Sequence, residues 1–370
     1  LVYPFRDTLD CMSKLRVGIL FGGKSAEHEV SVRSARNVYE ALDKEKFEPV
    51  LIGIDPSGKW VTANSEKLLS VPHDDTSQKV ELNEGSQVML APESRGELAG
   101  ADANSHIDVV FPILHGPFGE DGTIQGFLKL ADIPFVGPSV LGSAVGMDKD
   151  VMRRLLRDAG IPVTDYVTLR KGEPIDNQEI NELGMPLFVK PANLGSSIGI
   201  SKVHDQSELD AAIELAFTYD TKVLVEKAVA GRELECGVLG NENPEASVVG
   251  EIIPTHEFYS YDAKYLDDNG AASQIPANIP EEVSKRIQEL AIRTFKVLEC
   301  EGLGRVDVFL TPENNVIVNE INTIPGFTSI SMYPKMWEAS GLGYTDLITR
   351  LIELAIQRFE RDKQLKTSLQ

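Results

Sequence analysis

The chain has 370 residues, is 42% hydrophobic and carries 57 acidic against 36 basic side chains, a formal net charge of −21. This length supports two or three packed domains, and the charge excludes a nucleic-acid or anionic-membrane partner because no Lys/Arg-rich stretch offsets it locally. The longest apolar runs, such as 17–21 and 306–310, fall far short of the roughly 20 residues that span a bilayer, and three cysteines without a CxxC or CxxH spacing suit a reducing, cytoplasmic compartment.

Residues 1–11 precede Met12 without the basic and apolar regions of a secretory signal, and read as an upstream or non-native tail outside the fold. From residue 14 the pattern predicts a strand over 17–21, a helix from about 31 to 42 and a strand over 49–54. This βαβ order implies parallel strands in a Rossmann-like sheet. The polar stretch 62–105 lacks sustained periodicity and reads as a variable surface region remote from any site. A strand over 108–112, a helix from about 123 to 131 and a short strand at 135–136 close the first αβ domain, 12–137. The next segment, 138–229, is α+β, with a helix around 149–159 and strands at 187–190, 200–203 and 223–226. The last, 230–370, carries β runs at 233–239 and 248–253, a polar loop from about 256 to 273 and a helix over 281–298. A hairpin follows, and a long amphipathic helix over 344–361.

Four segments carry chemistry. The run GILFGGKS (18–25) satisfies the phosphate-loop pattern GxxxxGK[ST]. However, Ile19, Leu20 and Phe21 form the apolar body of a strand, where a phosphate loop needs free N–H groups, so a P-loop NTPase is the lesser reading. A dinucleotide fingerprint fails for want of a third glycine. What remains is a strand-to-helix turn presenting Glu27 at the carboxyl edge of the sheet. Alone, Glu27 and Glu29 could equally serve the dipole of the following helix.

Lys190 ends the strand LFVK and is followed by PANLGSSIG, whose glycines and serines can fold over phosphate oxygens. The run Glu226-Lys227-Ala228-Val229 and then Glu233 can supply backbone groups to an adenine and a carboxylate to a ribose. In GRVDVFL-TPENN-VIVNEIN, a four-residue loop at 312–315 places Asp307 opposite Glu320 and Arg305 opposite Asn322 on one face. Two carboxylates and an amide carbonyl form an oxygen-only set for Mg²⁺ or Mn²⁺, and Arg305 beside them can stabilise a transferring phosphoryl group.

Together these segments resemble the D-alanine:D-alanine ligases of the ATP-grasp superfamily. The match runs from about residue 14 to near the end, through GGKSAEHEVS, HGPFGEDGTIQ (115–125), KPANLGSSIG and the signature over 302–326. The resemblance implies a two-lobed ATP-grasp fold after the N-terminal sheet, a cytoplasmic homodimer, and ligation of two D-alanine molecules with ATP and two Mg²⁺ ions for cell-wall precursor synthesis. It implies that Glu27 holds the first D-alanine's ammonium with His115 near it, and that Lys149 and Lys190 contact ATP phosphates. Ser196 and Ser197 belong to a lid, Glu226, Lys227 and Val229 to the adenine site, and Glu233 to the ribose. Asp307, Glu320 and Asn322 hold the metal ions, Arg305 faces the reacting centre, and Ser331 with Met332 holds the second substrate. Lys264 and Tyr265 close over the site, and Tyr265 favours a dipeptide product over D-alanyl-D-lactate. A D-alanine:D-lactate ligase and a non-catalytic D-amino-acid binding module remain as alternative readings.

Overall fold

β1 (Leu15–Gly22) lies at the centre of the first sheet, pairing in parallel with β2 (Phe47–Ile54) on one side and β6 (Val109–Ile113) on the other, while β3 (Trp60–Thr62) adds an antiparallel edge. Ile19, Leu20 and Phe21 are fully buried. Layers on both faces of the sheet explain why this strand is apolar throughout rather than alternating. The computed structural model describes residues 14–70, 85–100, 106–254 and 271–366, so the tail 1–11 lies outside the described residues.

The crossover helix α1 (His28–Ala41) begins earlier than its pattern suggests because its first turn is polar and apolar periodicity starts only at Val30. The stretch 62–105 departs from expectation. It holds α2 (Ser65–Ser70) and an antiparallel pair, β4 (Met89–Leu90) and β5 (Leu98–Ala99), and Val88, Leu90 and Leu98 share a core with Leu20, Ile52 and Leu128. Strands of two residues are too short to show a period, which is why the sequence pattern misses them. The expected strand at 135–136 is a single parallel bridge between Val110 and Phe135, following α3 (Thr123–Leu130).

Two helices, α4 (Val140–Met147) and α5 (Lys149–Asp158), lead into a second sheet. It is made of β7 (Tyr166–Arg170), β8 (Leu187–Pro191), β9 (Ser201–Val203) and β10 (Lys222–Lys227) in the antiparallel order β7-β10-β8-β9, with α6 (Asn177–Leu183) and α7 (Gln206–Tyr219) in its connections. The sequence signals α7 clearly, although it was not expected. Asp205 accepts the Ser207 N–H at 2.8 Å and Glu208 reaches back to the His204 N–H at 2.8 Å, a variant of the capping box.

The third sheet, order β13-β12-β11-β14-β15, is antiparallel throughout. It comprises β11 (Arg232–Gly240), β12 (Glu245–Pro254), β13 (Ala271–Gln274), β14 (Gly302–Leu310) and β15 (Val316–Asn322), backed by α8 (Glu281–Val297). β13 corrects the expected loop, whose last residues pair with β12. One face of α5, carrying Met152 and Leu156, packs with Val306, Val308 and Phe295 of this sheet and its helix. The chain finishes with α9 (Met332–Ala339) and α10 (Tyr344–Lys363). Leu347, Ile348, Leu351 and Ile352 of α10 enter the same core as Val17, Ile19, Val32 and Phe111 of the first sheet and α1.

Candidate active site

Glu27 occupies the N-cap position of α1, yet its side chain makes no capping bond. It is buried, and Ser196 Oγ donates to its Oε1 across 169 residues of sequence. Capping the helix is therefore not its main engagement: Glu27 ties the first sheet's carboxyl edge to the Gly/Ser loop. Ser196 (φ 52°) and Ser197 (φ 59°) both hold left-handed backbone, strain of a kind that collects in ligand clamps. Behind Glu27, the buried His115 ring has Nδ1 3.1 Å from the Ile324 carbonyl and Nε2 3.3 Å from Ser34 Oγ. A carbonyl only accepts, so Nδ1 carries the hydrogen and Nε2 accepts from the hydroxyl. Burial lowers the His115 pKa despite the pull of Glu27, which keeps the ring neutral. Both nitrogens are thus engaged within the protein, and His115 shapes the wall behind Glu27.

Glu120 lies within the HGPFGEDGTIQ motif, whose pattern alone assigns it no role. Its Oε2 accepts the Gly116 N–H at 2.6 Å and its Oε1 the Ile324 N–H at 3.3 Å, so it pins the two loops that flank Glu27. Burial, then the neighbouring Glu27 charge, push its pKa up to about 8. The sign available in the sequence is its place between two glycines, Gly116 and Gly122, which take the positive φ of turns (+75° and +91°).

On the other side of the Gly/Ser loop lies a cluster of buried cations and carboxylates. Lys149 opens α5, where Asp148 caps the helix by accepting from Asp150 and Val151 N–H groups at 3.1 and 3.0 Å. The Lys149 Nζ donates to the Leu194 carbonyl at 2.9 Å and lies 3.3 Å from Glu320, joining the Gly/Ser loop to the hairpin. Lys190, at the end of β8, lies 2.6 Å from Glu226 Oε1. Burial lowers its pKa to about 8 against the attraction of Glu226. The Glu226 side chain, assigned to adenine by resemblance, is engaged here with Lys190 and Arg153, and despite burial these two cations hold its pKa low. In the same segment Lys227 is exposed, and Val229 and Glu233 are half-buried.

The β14–β15 hairpin pairs Asp307 with Glu320 and Arg305 with Asn322 as expected, but by another route. Leu310 pairs with Val316, so the loop has one residue more than expected, and a bulge at Asn319, between Asp307 and Val308 on the partner strand, restores the register. Without that bulge Glu320 would face Val306 and the core. Arg305 donates from Nε and Nη2 to both Asp307 oxygens at 2.8 Å, and its Nε lies 3.0 Å from Glu235. Although burial works against it, Asp307 and Glu235 raise the Arg305 pKa, so the guanidinium stays charged. Asn322 Nδ2 donates to Asp307 Oδ2 at 2.9 Å, which leaves its carbonyl oxygen as the atom it can offer a cation. Among the described residues no group of three His, Cys, Asp or Glu side chains forms a metal-binding cluster, so any cation here relies on the two carboxylates and the amide.

Ser331 occupies the N-cap position of α9 without capping it, its Oγ instead accepting the Thr328 N–H at 2.9 Å, whereas the Met332 side chain is buried against Met336 and Ile252. Met332 can therefore offer a ligand only its backbone at the helix start. Lys264 and Tyr265 lie outside the described residues. The GGKS turn is not a phosphate cradle, because the Gly22 N–H goes to Ser31 Oγ at 2.7 Å and the Gly23 N–H to the Ile54 carbonyl at 2.8 Å. Lys24 instead lines a cavity of about 480 Å³ with Trp60, Met89, His115 and Phe127. The stretch 87–90 therefore reaches the neighbourhood of the site, contrary to its expected remoteness.

Residues 16–138 match the family described as D-ala D-ala ligase N-terminus, and residues 155–353 match D-ala D-ala ligase C-terminus. A D-alanine–D-alanine ligase of Shouchella clausii is 56% identical over 367 residues, covering 97% of this chain and 99% of that protein. Among solved structures, a D-alanine-D-alanine ligase from Coxiella burnetii superposes with a TM-score of 0.85 at 41% identity, covering 95% of this chain and 96% of the other. A D-Ala:D-Ser ligase from Enterococcus faecalis gives 0.81 at 40% identity, covering 93% and 100%.

Proposed function

The chain belongs to the D-alanine–D-alanine ligase family, and from that premise we propose that it joins two D-alanine molecules into D-alanyl-D-alanine at the expense of ATP, for peptidoglycan precursor synthesis. The observation that carries this reading is the Glu27–Ser196 contact beside the Lys149, Lys190 and Arg305 cations. It sets a carboxylate suited to an ammonium against a loop suited to a triphosphate.

A carboxylate and an amine do not condense unaided, so the carboxylate must first be activated. Glu27 binds the ammonium of the first D-alanine and points its carboxylate toward the phosphate end. A carboxylate oxygen attacks the γ-phosphorus, the bond to ADP breaks, and an acyl phosphate forms. Lys149, Lys190 and Arg305 offset the charge on the transferring group. The amine of the second D-alanine, held at Ser331, then attacks the acyl carbon. The resulting oxyanion faces Arg305, the C–O bond to phosphate breaks, and the proton lost by the attacking neutral amine leaves on the departing phosphate as the peptide bond forms. The loop bearing Ser196 and Ser197 covers the acyl phosphate and keeps water from it.

The oxygen-only set of Asp307, Glu320 and Asn322 suits a hard divalent cation, and these residues would hold two Mg²⁺ or Mn²⁺ ions. Such ions supply charge neutralisation to the phosphates. Lys227, Val229 and Glu233 flank the nucleoside. We further assign three units, 12–137, 138–229 and 230–370, a homodimeric state and a cytoplasmic location. No helix among the described residues is long and apolar enough to cross a membrane. Phosphate release with ATP and Mg²⁺ is measured with D-alanine, L-alanine, or D-alanine plus D-lactate or D-serine, and products are weighed by mass spectrometry. Release that requires D-alanine and yields D-alanyl-D-alanine supports the proposal; a mixed depsipeptide or D-alanyl-D-serine as main product refutes its second substrate, and ATP turnover indifferent to D-alanine refutes it altogether.

A further inference from the structure

Arg153 has no part in the reaction as derived, yet it is among the largest fully buried side chains of the protein. It lies one helical turn after Lys149 on the same face of α5. Its Nη1 is 2.5 Å from Glu226 Oε2 as an ion pair, its guanidinium is 5.3 Å from the Tyr166 ring centre, and none of its three guanidinium nitrogens makes a hydrogen bond among the described residues. The other Glu226 oxygen, Oε1, takes Lys190 at 2.6 Å. One buried carboxylate is thus shared by two cations of different character. Arg153 is rigid, permanently charged and fixed to a helix, while Lys190 carries its charge on a flexible four-carbon stem.

If Lys190 were the only partner of Glu226, its movement onto a phosphate would leave a buried carboxylate uncompensated, and the pair would resist opening. We propose that Arg153 is a positioning residue: it holds Glu226 as a paired carboxylate whether or not Lys190 is bound to it, and so releases Lys190 to the phosphates of ATP. This proposal rests on the assignment of Lys190 to those phosphates. It predicts that Arg153 matters to nucleotide binding through Glu226, and that removing the Glu226 charge repairs the loss of Arg153. A purely structural ion pair would show the same repair in stability, because an unpaired buried carboxylate costs more than a lost pair, but it predicts no selective loss of ATP affinity: KM for ATP and KM for D-alanine would move together.

The test titrates Mg²⁺-ATP into the full chain by calorimetry and measures KM for ATP and for D-alanine. Arg153→Met should weaken ATP binding about tenfold or more, as expected when one charge-assisted contact is lost, with KM for D-alanine within about threefold of wild type. Arg153→Met/Glu226→Gln should bind ATP within about threefold of wild type. A double variant no better than Arg153→Met, or a parallel rise of both KM values, overturns the proposal. If Arg153→Met does not fold, Arg153→Gln with and without Glu226→Gln puts the same question with a side chain of similar length. Lys190→Met is measured alongside. If it binds ATP like wild type, the assignment of Lys190 has failed, and the role of Arg153 falls for that separate reason.

Discussion

Gly116→Ala should damage first-substrate binding by a route the structure defines. Gly116 has φ +75°, and an added Cβ would lie 2.7 Å from Glu27 Oε2 and 2.9 Å from Ser25 Oγ. The backbone penalty for a non-glycine residue in this region is about 1–2 kcal/mol. The overlap adds a second effect, because the Glu27 carboxylate must withdraw by several tenths of an ångström from where Ser196 holds it. A hydrogen bond to a charged group contributes about 1.5–3 kcal/mol, so misplacing Glu27 should raise KM for D-alanine about 10- to 100-fold. Gly341→Ala separates the two effects, since Gly341 also has positive φ (+93°) but an added Cβ would meet nothing within 4 Å. Both variants should melt slightly lower, and only Gly116→Ala should change KM for D-alanine. The assay is steady-state phosphate release at saturating ATP, paired with a thermal melt. If KM in Gly116→Ala stays within about threefold of wild type, or Gly341→Ala raises it equally, Glu27 does not act as the ammonium site.

Arg305→Met should lower kcat about a hundredfold or more, the scale of lost oxyanion-type contacts; turnover within a factor of about ten of wild type would remove Arg305 from the reacting centre. Glu320→Gln should raise the Mg²⁺ concentration needed for half-maximal turnover, and an unchanged requirement would take Glu320 out of the cation set. Because Lys190 loses its proton near pH 8 and only its charged form attracts phosphate, kcat/KM for ATP should fall as pH rises through about 8. A profile flat to pH 9.5, measured at saturating D-alanine, would contradict that role.

Much of the site was legible because its members are local in sequence. Arg305 and Asp307 share a strand face by their spacing alone, and Glu320 and Asn322 follow from the hairpin. The pairing was correct although the loop was judged one residue short, because the bulge at Asn319 compensates, and nothing in a period-two pattern announces a bulge. Contacts set by strand order were not legible. Lys190 and Glu226 meet because β8 and β10 are neighbours, and Glu235 reaches Arg305 because β11 and β14 are. Arg153 was overlooked because a basic residue on an amphipathic helix ordinarily faces water. The role of 85–99 was underestimated because its two-residue strands carry no period, while Val88, Leu90 and Leu98 supply core.

The shared core of α10 and the first sheet has a consequence for how the molecule is made. Asn37 donates to the Phe327 carbonyl across 290 residues of sequence, and α10 covers the same region from still further along the chain. At typical synthesis rates that interval lasts on the order of 15–60 s. For most of it, once Phe111 has been made, the apolar face around Val17, Val32 and Phe111 waits on the ribosome for the helix that will cover it. The first sheet to be synthesised is thus among the last to be finished, and yield in a cell depends on shielding that face meanwhile.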